Sequence, residues 1–136
     1  MEAEQSSAPP AIEARGLTKV YAVPGRDPVQ ALAGLDLTCR RGEVFGLLGA
    51  NGAGKTTALR IFATIQRPTS GSARVDGIDV TADALGVRRR IGYLSCSTGL
   101  YPRLSVRETL DYFGRLHGMP PDRLEQRIDE LLGAFE

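Results

Sequence analysis

Cysteine is scarce in these 136 residues: only Cys39 and Cys96 occur. Two sulfurs so far apart make no disulfide framework and no Cys-x-x-Cys pair. A reducing cytosol is the simplest compartment for such a chain. Long apolar runs are missing as well. None approaches the roughly 18–20 residues that cross a bilayer, so any membrane role must come through a partner. The first ten residues, MEAEQSSAPP, lack the apolar stretch of a secretory signal. They are expected to form a disordered leader over 1–10. Charge of one sign is missing too: 17 basic and 16 acidic residues leave a formal net charge of +1. That offers no field for nucleic acid or an anionic membrane. Lysine is rarer still, because fifteen of the 17 basic residues are arginine.

One of the two lysines sits in the most informative stretch of the chain. Gly49-Ala50-Asn51-Gly52-Ala53-Gly54-Lys55-Thr56-Thr57 fits G-x-x-x-x-G-K-[ST], the phosphate-binding loop. The run Val44–Leu48 before it is apolar on both faces and predicts a buried parallel strand over 43–48. The run Ala58–Ile65 after it predicts a helix. The glycines permit positive φ and close backbone approach. The loop can then turn its N–H groups inward against an anion, with the positive end of the helix behind them. Lys55 brings a compact cation to the β/γ phosphates, and the Thr56 hydroxyl is the expected Mg²⁺ ligand. With 16 glycines, two lysines and 16 serines and threonines in the chain, a chance match has odds of roughly a few in a thousand.

The rest of the chain supplies an α/β framework. Ala11–Leu17 alternates loosely and predicts an edge strand; Gln30–Arg40 predicts a second, and Ser72–Asp76 a third. Asp76-Gly77 suits a tight turn. Pro68 and Gly71 stop the loop helix. A short polar helix is expected over 82–90, with Arg88, Arg89 and Arg90 on a solvated face, and a buried strand over Ile91–Leu94. Ser105-Val106-Arg107-Glu108 has capping-box form and opens a helix with Val106, Leu110 and Phe113 on one face. Gly118 and Pro120-Pro121 end it. Leu124, Ile128, Leu131, Leu132 and Phe135 mark a second helix. Asp76, Asp79, Asp83 and Glu108 follow no apolar run and are assigned no catalytic role. His117, at a helix end, reads as a partner of the helix dipole.

Four segments together resemble the nucleotide-binding domain of ATP-binding cassette (ABC) transporters, over Ile12–Glu136. They are Leu17–Tyr21, Gly49–Thr57 in the G-x-N-G-A-G-K-T-T form, Arg67–Gly71, and Ile91–Leu94 followed by Leu104–Leu110. The resemblance implies a P-loop NTPase: a RecA-like core, an antiparallel β edge subdomain and the start of a helical subdomain over 11–136. It implies that Tyr21 stacks on adenine, although the residue alone reads equally as a half-buried edge-strand tyrosine. It assigns the ATP phosphates to Gly49, Ala50, Asn51, Gly52, Ala53, Gly54, Lys55, Thr56 and Thr57, with Mg²⁺ on Thr56. It further implies a head-to-tail partnership with a second ATP-binding subunit and a separate membrane permease. The subunit would lie at the inner face of the cell membrane and drive export, with no nucleic-acid partner.

Two departures from the family pattern qualify this. The family's glutamine after the Ile91–Leu94 strand falls here on Cys96, and a neutral thiol is a poor Mg²⁺ ligand; Ser95 or Ser97 could serve through water. The run Leu94–Tyr101 resembles a branch of exporter subunits that includes sodium-extrusion types. The signature loop, Walker B strand, catalytic glutamate and switch histidine have no counterpart in these residues. A truncated chain is therefore expected, with weak nucleotide binding and negligible turnover. A non-transport ABC ATPase and a catalytically incomplete nucleotide-binding fragment stay open as alternatives.

Overall fold

A kink in the first strand decides which of its residues face inward. Strand β1 (Ile12–Tyr21) pairs antiparallel with β2 (Val29–Cys39), and its register slips between Ala14 and Leu17. Gly16 occupies that slip at φ 55°. On a regular strand, residues three apart point to opposite faces. The bulge turns both Ala14 and Leu17 into the core, at 3% and 0% exposure. The Asp36 carboxylate accepts the Gly16 N–H at 2.7 Å, which satisfies the group that the bulge unpairs.

The computed structural model describes residues 8–95, 99 and 101–135. The chain divides into two compact units, Met1–Tyr93 and Leu94–Glu136. In the first, helix α1 (Lys55–Phe62) follows the loop. Strands β3 (Ser70–Val75) and β4 (Ile78–Asp79) complete an antiparallel sheet in the order β2-β1-β3-β4. Asp76 and Gly77 turn the β3–β4 hairpin with φ values of 54° and 78°, the left-handed pair that a two-residue turn requires. Helix α2 (Ala84–Arg88) is capped by Asp83, whose carboxylate accepts the Gly86 N–H. Ala58, Ile61 and Phe62 of α1 join Ala14, Leu17, Leu32, Ala73, Val75, Val80 and Val87 in one apolar core.

Several expectations are corrected here. β1 lies between β2 and β3 and is no edge strand. Side-chain alternation reports the faces of a strand, not which of its edges are paired. Residues 43–48 form no strand, and Leu48 is 94% exposed. A strand persists only when a neighbour takes its N–H and C=O groups, and no described residue pairs with this run. The same holds for 91–94, where Leu94 is exposed. Leu47 and Ile91 alone of these runs lean on the core. Helix α1 starts three residues before Ala58 and stops short of Ile65. Thr64, at φ 60°, leaves the helix in a left-handed turn whose following N–H groups return to the Arg60 carbonyl. The arginine trio is also less free than expected. Arg88 donates to the Thr64 hydroxyl at 2.7 Å, and Arg90 pairs with Asp76, as does Arg41.

In the second unit, Ser105 caps helix α3 (Val106–Leu116) through the expected reciprocal box with Glu108. Helix α4 (Pro121–Gly133) opens on proline, which needs no N–H partner at that position. Leu124 and Ile128 of α4 are buried. Gly114 of α3 makes room for Leu124, because a Cβ there would overlap the leucine's Cδ1. The apolar face expected on α3 is not covered: Val106 and Phe113 are exposed, and Leu110 is half-buried. Tyr101, Tyr112 and Phe113 instead stack edge to face, with centroids 6.3 and 5.4 Å apart. Phe135 lies past α4 and is exposed.

Candidate functional site

The glycine loop is built against the sheet, not merely next to the helix. Pairing of Lys19 with Leu32 and of Val20 with Gln30 leaves Ala31 as an extra residue on β2. Gly54 rests on that bulge. A Cβ on Gly54 would overlap the Ala31 carbonyl oxygen and come within 2.7 Å of Leu32 Cδ2. The residue also stands at φ 84°, where a side chain costs strain. It is the N-cap of α1, so it brings no side chain to the free N–H groups of the first turn. No acidic residue occupies that turn either. The positive end of α1 is therefore left for an outside anion.

Lys55 closes over the loop from the helix side. Its Nζ donates to the Gly49 and Ala50 carbonyls at 2.6 and 2.7 Å. The ammonium is thus held at the mouth of the loop instead of trailing in solvent. Ala31, Asn51, Gly52, Ala53, Gly54, Lys55, Thr56 and Thr57 line a depression of about 250 Å³. Seven of these are predicted phosphate residues; Gly49 and Ala50 act as carbonyl partners of Lys55. Ala31 was not anticipated, because its place depends on a bulge that no residue pattern announces.

Tyr21 does not line this depression. It ends β1, half-buried, and its hydroxyl donates to Gln66 Oε1 at 2.7 Å. Lys19 Nζ lies 5.2 Å from the centre of its ring. No local pattern announces the Gln66 contact, which joins residues 45 apart. Cys96 and Ser97 lie outside the described residues, so the replaced glutamine has no geometry here. The four carboxylates set aside above all have structural partners. Asp76 binds Arg41 and Arg90, Asp79 turns the chain through Thr81, Asp83 caps α2, and Glu108 completes the α3 box. His117 caps α3 at its C-terminus. Among the described residues no cluster of three or more His, Cys, Asp or Glu side chains could hold a metal. No helix among them is long and apolar enough to cross a membrane.

An uncapped helix behind a glycine loop, set on a sheet with a single basic side chain at its mouth, defines an α/β domain of the P-loop type. The family model described as ABC transporter matches residues 32–136. The chain belongs to the ABC transporter family, as part of its ATP-binding domain. It is 44% identical over 108 residues to the ABC transporter ATP-binding protein NatA of Bacillus subtilis, covering 79% of this chain and 44% of that one. It is 43% identical over 125 residues to the daunorubicin/doxorubicin resistance ATP-binding protein DrrA of Streptomyces peucetius, covering 92% and 36%. The methionine import ATP-binding protein MetN of Leifsonia xyli is 41% identical, covering 89% and 36%. The chain thus spans between 36% and 44% of the length of these relatives. Among solved structures, a dimer of the ATP-binding cassette MJ0796 bound to ADP and Pi matches with a TM-score of 0.73 and 28% identity, over 90% of this chain and 56% of that one.

Proposed function

We propose that this chain binds ATP–Mg²⁺ at Gly49–Thr57 and belongs to a transporter subunit that energises export through a separate permease. The open, uncapped start of α1 behind Gly54 carries the reading. Loop N–H groups and the Lys55 ammonium would hold the β and γ phosphates. Thr56 offers one hard oxygen, suited to Mg²⁺ that keeps phosphate and water as its other ligands. The bound ion would supply charge neutralisation. Tyr21 would take the adenine on its ring. The domain assignment over 11–136, pairing with a second ATP-binding subunit, and placement at the inner membrane face belong to the same reading. Export is favoured by kinship to a drug-resistance ATP-binding protein. The methionine-import relative marks the opposite direction as the second reading.

No acidic side chain lines the depression among the described residues. Water attack needs such a base or a positioned equivalent. The chain should therefore bind without turning over. Calorimetric titration with ATP–Mg²⁺, with phosphate release followed in the same sample, tests this. Binding should weaken at least tenfold in Lys55→Ala, with negligible release in both proteins. Binding unaffected by Lys55→Ala, or steady release that Lys55→Ala abolishes, would overturn it.

A further inference from the structure

We propose that Gln66 and Lys19 are positioning residues that hold the Tyr21 ring ready for a purine base; this rests on the reading of Tyr21 as the base platform. A tyrosine at the end of a strand normally keeps several rotamers, and ordering it on binding costs affinity. Tyr21 is restrained twice. Its hydroxyl donates to Gln66 Oε1 at 2.7 Å. The Lys19 ammonium stands over the ring at 5.2 Å from its centre and is itself fixed by the Arg67 carbonyl at 2.9 Å. A cation on one face leaves only the other for a stacked base.

The restraint is anchored to the phosphate loop's own helix. Gln66 lies just past the end of α1, and its N–H returns to the Arg60 carbonyl of that helix at 3.2 Å. The chain from Gln66 onward is then tied along β1. Thr69 N–H donates to the Thr18 carbonyl at 2.8 Å, and Val20 N–H donates to the Thr69 hydroxyl at 3.0 Å. One short helix therefore faces the phosphates with its first turn and fixes the base platform from its exit. Base and phosphate contacts are set at one spacing before any nucleotide arrives.

Comparing ATP–Mg²⁺ with inorganic tripolyphosphate–Mg²⁺ by calorimetry separates the two ends of the ligand. Gln66→Leu and Tyr21→Phe should each weaken ATP roughly three- to tenfold, the range of one lost hydrogen bond, with tripolyphosphate unchanged. The double variant should be no weaker than either alone. Gln66→Glu, which keeps an acceptor, should retain the wild-type ratio. Lys19→Met should lower ATP affinity about two- to fivefold by the same comparison. If Gln66→Leu and Tyr21→Phe keep the wild-type ratio while Tyr21→Ala lowers it, the positioning role fails and the platform stands. If Tyr21→Ala also leaves the ratio unchanged, the platform reading itself fails. Equal loss for both ligands in Gln66→Leu would make Gln66 a support of the fold alone, and overturn the proposal.

Discussion

Gly54 has to satisfy three conditions at once: a left-handed backbone, an uncapped helix start and contact with Ala31. Gly52 shares its φ of 84° but has open space where a Cβ would go. The two positions therefore separate strain from overlap. Gly52→Ala should cost about 1–2 kcal/mol, the price of the left-handed conformation. Gly54→Ala should cost at least about 1 kcal/mol more, since the overlap involves backbone that cannot swing away. Urea unfolding without nucleotide measures both. Equal costs would mean that the Ala31 bulge yields. The motif spacing made both glycines legible as loop residues. It carried no information on Ala31, because the bulge that lifts Ala31 toward the loop arises from pairing between β1 and β2. Tyr21 shows the same limit: its identity was legible, but its anchor on Gln66 was not.

Among the elements, structure is legible in the sequence where the stabilising contact is local. The α3 capping box joins residues three apart, and it is present as expected. Its Glu108 carboxyl is held below the usual carboxylate range, first by the Ser105 hydroxyl and then by the Ser105 N–H. In the first unit, the Thr81 hydroxyl and then its N–H hold the Asp79 carboxyl down likewise. Both groups therefore favour the folded state fully above their unfolded values, near pH 4. That contribution is lost as pH falls through the lowered folded values. Backbone chemical shifts of the first turn of α3 should hold steady from pH 7 to about 5 and lose helical character below about 4. Glu108→Gln, which cannot ionise, should remove this acid step at α3 and leave the one at the Asp79 turn. An acid step that persists at α3 in Glu108→Gln would assign it to other carboxylates. Periodicity served less well for β1. Ala14 and Leu17 share a face only because Gly16 breaks the alternation, so a strand with a sound core face looked irregular.

Considered whole, the molecule carries a consequence of the missing strand pairing. Residues 43–48 leave Val44 and Leu48 exposed, with backbone groups that no described strand takes up. Such a run invites association with another chain. Val44→Lys with Leu48→Lys should reduce self-association in light scattering while shifting unfolding free energy by no more than about 0.5 kcal/mol. A stability loss well beyond that would mean that the run supports the fold as it stands. By itself the sequence determined the loop, the cap of α3, the turn at Asp76-Gly77 and the family, because each rests on residue types at fixed short spacing. Only the tertiary structure decided that β1 is central, that 43–48 and 91–94 stay unpaired among the described residues, that Ala31 lines the glycine-loop depression and that Gln66 anchors Tyr21. Those outcomes depend on which segments meet across long stretches of chain. A strand's partner, unlike its faces, leaves no mark on the strand's own residues.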